Sequence, residues 1–186
     1  NGADNVTIDG RVNGTGSAKD LTISNSNNQS SSAIRFVNSA ENNTVKYCFV
    51  KSSETSTSRG IIFFSTSEDG NGNDNNLIDK NDITNAGGRV NIAIYSLGSV
   101  GSENSGNTIS NNNIFDVWRT NANSNNIQLG SYSTEWTISG NSFYETTSFV
   151  PEGNFTFNPI KISNTSGAGF VITDNYIGGQ EPLCGG

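Results

Sequence analysis

Asp116 and Glu145 each lie seven residues beyond the apolar centre of one phrase, Thr-Ile-Ser, which occurs at 108–110 and again at 137–139. If the two phrases hold equivalent places on adjacent rungs, the carboxylates stand about 5 Å apart, the spacing of neighbouring strands. A pair at that separation suits a retaining glycosidase, with one carboxylate as nucleophile and the other as acid and base. The same pair also reads as two solvated turn carboxylates that tolerate mild repulsion or share a cation. The chain has no histidine, which removes the usual proton shuttle and the commonest metal ligand together.

One position earlier the column reads Lys51, Thr84, Phe115, Tyr144 and Gly178. Phe115 and Tyr144 would stack on consecutive rungs, with Trp118 and Tyr132 in nearby loops. Exposed aromatic rings beside Asn and Asp are what sugar rings bind, through CH–π contact and hydrogen bonds. The competing reading is that they cover a loop or pack a neighbouring domain. A third candidate is "EDGNGNDNN", where Asp69, Asn71 and Asn73 have the alternate spacing of a calcium loop. The glycine expected at its sixth position is Asp74 and the glutamate expected at its twelfth is Lys80, so a flexible acidic loop competes with a calcium site.

The elements that would position these residues follow from the repeat. Five copies of one short strand are Thr44-Val45-Lys46, Leu77-Ile78-Asp79, Thr108-Ile109-Ser110, Thr137-Ile138-Ser139 and Val171-Ile172-Thr173. Looser copies are Thr7-Ile8-Asp9 and Thr22-Ile23-Ser24. Five residues past each centre comes another apolar residue: Val50, Ile83, Ile114, Phe143 and Ile177. Three residues past it stand Cys48, Asn81, Asn112, Asn141 and Asn175. A second set of strands with period two starts at Ile34, Ile61, Ile92, Ile127 and Ile160. Steps of about 30 residues between short strands are the period of a solenoid.

These facts predict an all-β, right-handed parallel β-helix of about six to seven rungs, with apolar side chains in inward columns. The Asn column is expected to be a ladder. Asn tolerates a left-handed bend, and its amide bonds both the backbone and the Asn of the next rung. Cys48 takes an Asn place in that column. Cys184 lies beyond the last rung, nearly 20 Å from Cys48 by rung count, so no disulfide joins them.

Composition narrows the partners. Hydrophobic residues make up 32%, low for a globular chain, but they recur in register, as disordered tracts do not. A net charge of −7 with only 10 Lys and Arg argues against nucleic acid. No apolar run approaches the roughly 20 residues of a membrane span. The start at Asn1 and the end at "EPLCGG", with no capping element at either end, read as a single β-helix domain over 1–186 within a longer chain. Other domains of that chain are then its first expected partners.

With the rungs assigned, the sequence resembles the pectin-lyase-like right-handed parallel β-helix proteins. The phrases "NVTIDGRVNGTG", "NNTVKYC", "NNLIDKNDI", "NTISNNNI" and "ITDNYIGG" carry that resemblance across nearly the whole chain. More narrowly it resembles β-helix segments of large secreted or surface proteins of Bacteroidota, usually exported by the type IX route. The resemblance implies an extracellular or cell-surface location, and no cofactor is expected apart from calcium at the 69–73 loop. The pectin-degrading hydrolases of this fold carry paired-Asp, Asn-Thr-Asp, Gly-His-Gly and Arg-x-Lys motifs, and none is present. Calcium-dependent lyases need a base beside clustered acidic ligands, whereas Lys46, Lys51, Lys80, Arg89 and Arg119 fall on scattered rungs.

The expectation is a non-catalytic structural, adhesive or carbohydrate-contacting segment. The alternative is part of a polysaccharide lyase or glycoside hydrolase. More remote is an ice-binding face, since Thr108/Ser110 and Thr137/Ser139 form Thr-x-Ser rows, which Asp9, Lys46, Leu77 and Asp79 interrupt.

Overall fold

Three-residue phrases such as Thr-Ile-Ser favour strands because β-branched side chains fit a pleated surface, with the middle residue facing one way and its neighbours the other. A strand that short has no independent stability and must pair with its copies. The computed structural model, which describes residues 2–27, 32–66 and 70–185, shows that outcome: an all-β parallel solenoid with two short 3-10 turns as its helical content.

Three long sheets wrap the chain. Sheet A stacks β1 (Thr7–Asp9), β4 (Thr44–Lys46), β7 (Leu77–Asp79), β11 (Thr108–Ser110), β15 (Thr137–Ser139) and β18 (Val171–Thr173). Sheet B stacks β2 (Leu21–Asn25), β5 (Cys48–Ser52), β8 (Asp82–Asn85), β12 (Asn113–Phe115), β16 (Ser142–Tyr144) and β19 (Tyr176–Ile177). Sheet C stacks β3 (Ile34–Phe36), β6 (Ile62–Phe64), β9 (Ile92–Ser96), β13 (Ser124–Leu129) and β17 (Phe157–Ile162). A short pair, β10 (Asn104–Ser105) with β14 (Ser133–Thr134), fills the corner between C and A.

Among the described residues this makes five complete turns and two strands of a sixth, slightly fewer than the six to seven expected. The difference has a specific origin. Thr22-Ile23-Ser24 has the sequence of a sheet A strand but belongs to β2, with Ile23 opposite Val50. It therefore shares a turn with β1 instead of forming one. The sheet C register also differs at two rungs: Ile34, Ile62, Ile94, Ile127 and Ile160 align, rather than Ile61 and Ile92. Both Ile61 and Ile62 are apolar and fully buried, so alternation gives no parity there.

The core is a set of columns, one residue per turn. Val45, Ile78, Ile109 and Ile138 form one, and Val50, Ile83, Ile114 and Phe143 a second, all buried. Each fully buried Ile contributes about 1.5–3 kcal/mol. Burial fades in the last turn, where Ile172 and Ile177 are 45% and 56% exposed.

The expected Asn ladder is present. Asn81, Asn112 and Asn141 each donate Nδ2 to the Oδ1 of the next member, at 3.0–3.1 Å, ending on Asn175. Each Oδ1 also accepts the backbone N–H of the preceding member, Cys48 included. The left-handed bend is not at these Asn residues but one place earlier, at Tyr47, Lys80, Asn111, Gly140 and Asp174. That single inverted residue turns the chain so that the next side chain points inward and the amides align. Two further ladders run at other corners: Asn43–Asn76–Asn107, and Asn73–Asn104. The first is succeeded by Trp136, fully buried, whose indole N–H donates to the Asn104 carbonyl at 2.9 Å.

Neither cysteine is in a disulfide: Cys48 is buried at the base of its ladder and Cys184 is exposed. Cys48 rather than Asn is intelligible there. The Leu21 N–H, on the turn before it, already donates to the Gly10 carbonyl, so an amide oxygen would find no backbone donor.

Candidate functional site

The stretch joining sheet B to sheet C passes one corner of the solenoid on every turn, and there the polar side chains gather. Arg89 precedes β9, Asp116 and Trp118 follow β12, and Glu145 follows β16. Stacking brings all four together. Arg89 Nη1 donates to Glu145 Oε2 and, at 2.9 Å, to the Trp118 carbonyl, while Nη2 lies 3.6 Å from Asp116 Oδ1. The guanidinium lies over the Phe149 ring, 4.8 Å from its centroid.

Asp116 and Glu145 are thus bridged by one cation, and their remaining oxygens are occupied. Asp116 accepts the Thr146 amide at 2.9 Å and its hydroxyl at 2.7 Å, and Glu145 Oε1 accepts the Trp118 amide at 3.2 Å. Burial pushes the Glu145 carboxyl above its ordinary value, against the opposing pull of Arg89. A nucleophile needs a free oxygen facing substrate, and this arrangement spends the oxygens on the protein itself.

The four aromatic candidates do not converge. Phe115 and Tyr144 stack face to face, centroids 5.1 Å apart and planes 12° from parallel. Rings stacked along the axis present their edges outward, so the faces a sugar would cover are turned on each other. Tyr144 is buried, and burial with nearby Asp82, Asp116 and Glu181 pushes its phenol up to about 12. Trp118 stacks on Phe157 at 5.5 Å beneath the 147–151 loop. Tyr132 sits on the far side of β13, at the corner with β14.

Two of the three calcium candidates are among the described residues. Asp69 lies outside the described residues. Asn73 is fully buried and belongs to a ladder, its Oδ1 accepting the Ala40 amide at 3.1 Å. Asn71 donates to Glu41 at 3.1 Å. Among the described residues no group of three or more His, Cys, Asp or Glu is arranged to hold a metal ion. On sheet A the Thr108/Ser110 and Thr137/Ser139 rows do lie in register, but Asp9 pairs with Arg11 and Lys46, and Asp79 with Lys80, across the same face.

A feature that the sequence reading missed lies beside Arg89. A groove of about 730 Å³ crosses four turns just past the ends of the sheet B strands. Its lining runs from Ser26 through Ser53 and Thr55 to Arg89, Arg119 and Asn121. None of the described lining residues is acidic. Three turn spacings make it about 14 Å long. Gly87 and Gly88 have open space where a side chain would stand, which keeps its middle wide. Its walls are loops of unequal length, so their register was not in the repeat; the available signal was that "GGR" and "WRTN" follow sheet B strands on adjacent turns.

No family model, curated protein or solved structure matches the chain.

Proposed function

We propose that this chain is a non-catalytic, extracellular segment of a large secreted or cell-surface protein, of the pectin-lyase-like kind found in Bacteroidota. In this reading the solenoid is a rigid, adhesive spacer, and the groove beside Arg89 and Arg119 contacts carbohydrate. The observation that carries it is the lining of that groove: hydroxyls, amides and two guanidiniums spread over four turns. Such groups meet sugar hydroxyls with donors and acceptors while the ladders beneath hold the backbone fixed. The carboxylate pair argues against turnover, because Arg89 and Thr146 occupy the oxygens that catalysis would need.

The test is a glycan array on the intact chain, run beside an assay of product release from neutral and acidic polysaccharides. Binding without product is the expected result. Turnover that disappears in Asp116→Asn or Glu145→Gln would replace this reading with a glycoside hydrolase. Absence of binding to every glycan would remove the carbohydrate contact and leave the spacer.

A further inference from the structure

The two arginines of the groove differ in what they have left to give. Arg89 is spoken for by Glu145, Asp116 and the Trp118 carbonyl. Arg119 is half-buried, one turn along, and its side chain donates to the neutral Asn91 Oδ1 at 3.3 Å. Among the described residues no carboxylate lies within ion-pair distance of it. A guanidinium carries five donors in a planar fork that matches a carboxylate or sulfate, so Arg119 holds unspent capacity facing a polar groove.

We propose that the groove selects a glycan in which an isolated carboxylate or sulfate ester interrupts otherwise neutral sugars, with Arg119 holding the acid group. This rests on the carbohydrate reading above and names its ligand class. One uncompensated cation accommodates one anion. The remaining lining, Ser26, Ser53, Thr55 and Asn121, offers hydroxyls and amides that suit neutral sugar units. A fully charged polymer would bring further anions into a groove whose second cation is already neutralised. It would also approach a chain of net charge −7, which repels polyanions at long range. The groove therefore discriminates by charge density rather than by charge alone.

The experiment is titration calorimetry of the intact chain at low salt with three probes. They are a neutral oligosaccharide, the same backbone carrying one carboxylate or sulfate, and a fully charged polyuronate fragment of equal length. Carboxylate and sulfate versions are compared to tell the two acid groups apart. The singly charged probe is expected to bind best. Arg119→Gln should weaken it about tenfold, far more than it weakens the neutral probe, so that the two then bind alike. Arg119→Lys should retain part of the preference, and melting curves of both variants establish that they fold. Glu145→Gln, which leaves Arg89 with Asp116 and no second carboxylate, should raise affinity for the polyuronate. Equal binding of neutral and singly charged probes, or a polyuronate that wins on the unmodified chain, overturns the proposal while the carbohydrate reading stands. No binding of any probe overturns both.

Discussion

Arg89 and Glu145 lie 56 residues apart in the chain and two turns apart along the solenoid, yet their side chains meet in a charge-assisted hydrogen bond. The contact ties the corner of the third turn to that of the fifth and passes beside Asp116 of the fourth. It is also asymmetric. Burial disfavours the charge on Glu145 by more than Arg89 favours it, so the two partners are not equally dispensable.

Removing the cation should cost more than removing the anion. Arg89→Ala leaves a buried carboxylate uncompensated and should destabilise the fold by about 2–3 kcal/mol at neutral pH. Glu145→Gln keeps an oxygen for the Trp118 amide and leaves Arg89 beside Asp116, and should cost under about 1 kcal/mol. Urea denaturation of both variants gives the comparison, and equal losses would mean that the pair acts as a simple attraction.

The same imbalance sets a pH dependence. Glu145 binds its proton more tightly folded than unfolded, so its contribution to stability declines as pH rises from near the ordinary 4.5 through the raised value. Relative to Glu145→Gln, the unmodified chain should therefore lose stability across that window and run parallel above it. A relative gain over the same window would show that Arg89's attraction outweighs burial.

Asn112 sits in the middle of its ladder, fully buried, with its amide bonded to Ile78, Asn81 and Asn141. Asn112→Ala removes the acceptor of the Asn81 N–H and of one Asn81 Nδ2 hydrogen, and the donor to the Ile78 carbonyl, and should cost about 3 kcal/mol or more. Thermal melts would register this as a drop of many degrees. Asn121→Ala in an exposed loop should barely move the midpoint, which separates the ladder from a general role for asparagine.

The two thiols should behave as opposites. Burial pushes the Cys48 thiol up, while Cys184 is exposed. A thiol reagent should label one cysteine in the native chain and two in denaturant, and mass mapping should place the native label at Cys184. Rapid native labelling of Cys48 would mean that the second turn opens locally.

Stacked as they are, Phe115 and Tyr144 should matter to stability and not to ligand. Phe115→Ala should cost about 2 kcal/mol and bring the Tyr144 phenol down from about 12 by letting water in. Ultraviolet titration follows the phenol directly. Weaker glycan binding in this variant, with its fold intact, would return the aromatic column to candidacy as a sugar platform.

What the sequence made legible was whatever repeats at fixed register. The Ile columns and the Cys48-to-Asn175 ladder recur at constant offsets within each turn, because stacking requires the same residue type at the same place. The Asn43–Asn76–Asn107 ladder is less legible, because Asn stands one residue before only three of the six sheet A strands, and Val6, Trp136 and Phe170 hold that place on the others. Thr22-Ile23-Ser24 misled because sheets A and B demand the same alternation, and a tripeptide does not say which sheet it enters. Ile61 misled because a buried residue follows it and removes the parity. Arg89 and Arg119 escaped for a different reason. Their loops vary in length, so the distance between corners is fixed by the folded backbone and by nothing periodic in the chain.

Because neighbouring strands belong to successive turns, the hydrogen bonds that close each sheet run along the axis rather than around it. A pull on the two ends of the chain would therefore strip turns one at a time. Each turn of some 31 residues releases about 100 Å of slack for the roughly 5 Å of height it gives up. Between releases, the next ladder Asn must be torn from its partner before the next strand can leave. Under tension such a segment behaves as a ratcheted extension spring, stiff while intact and long when overloaded.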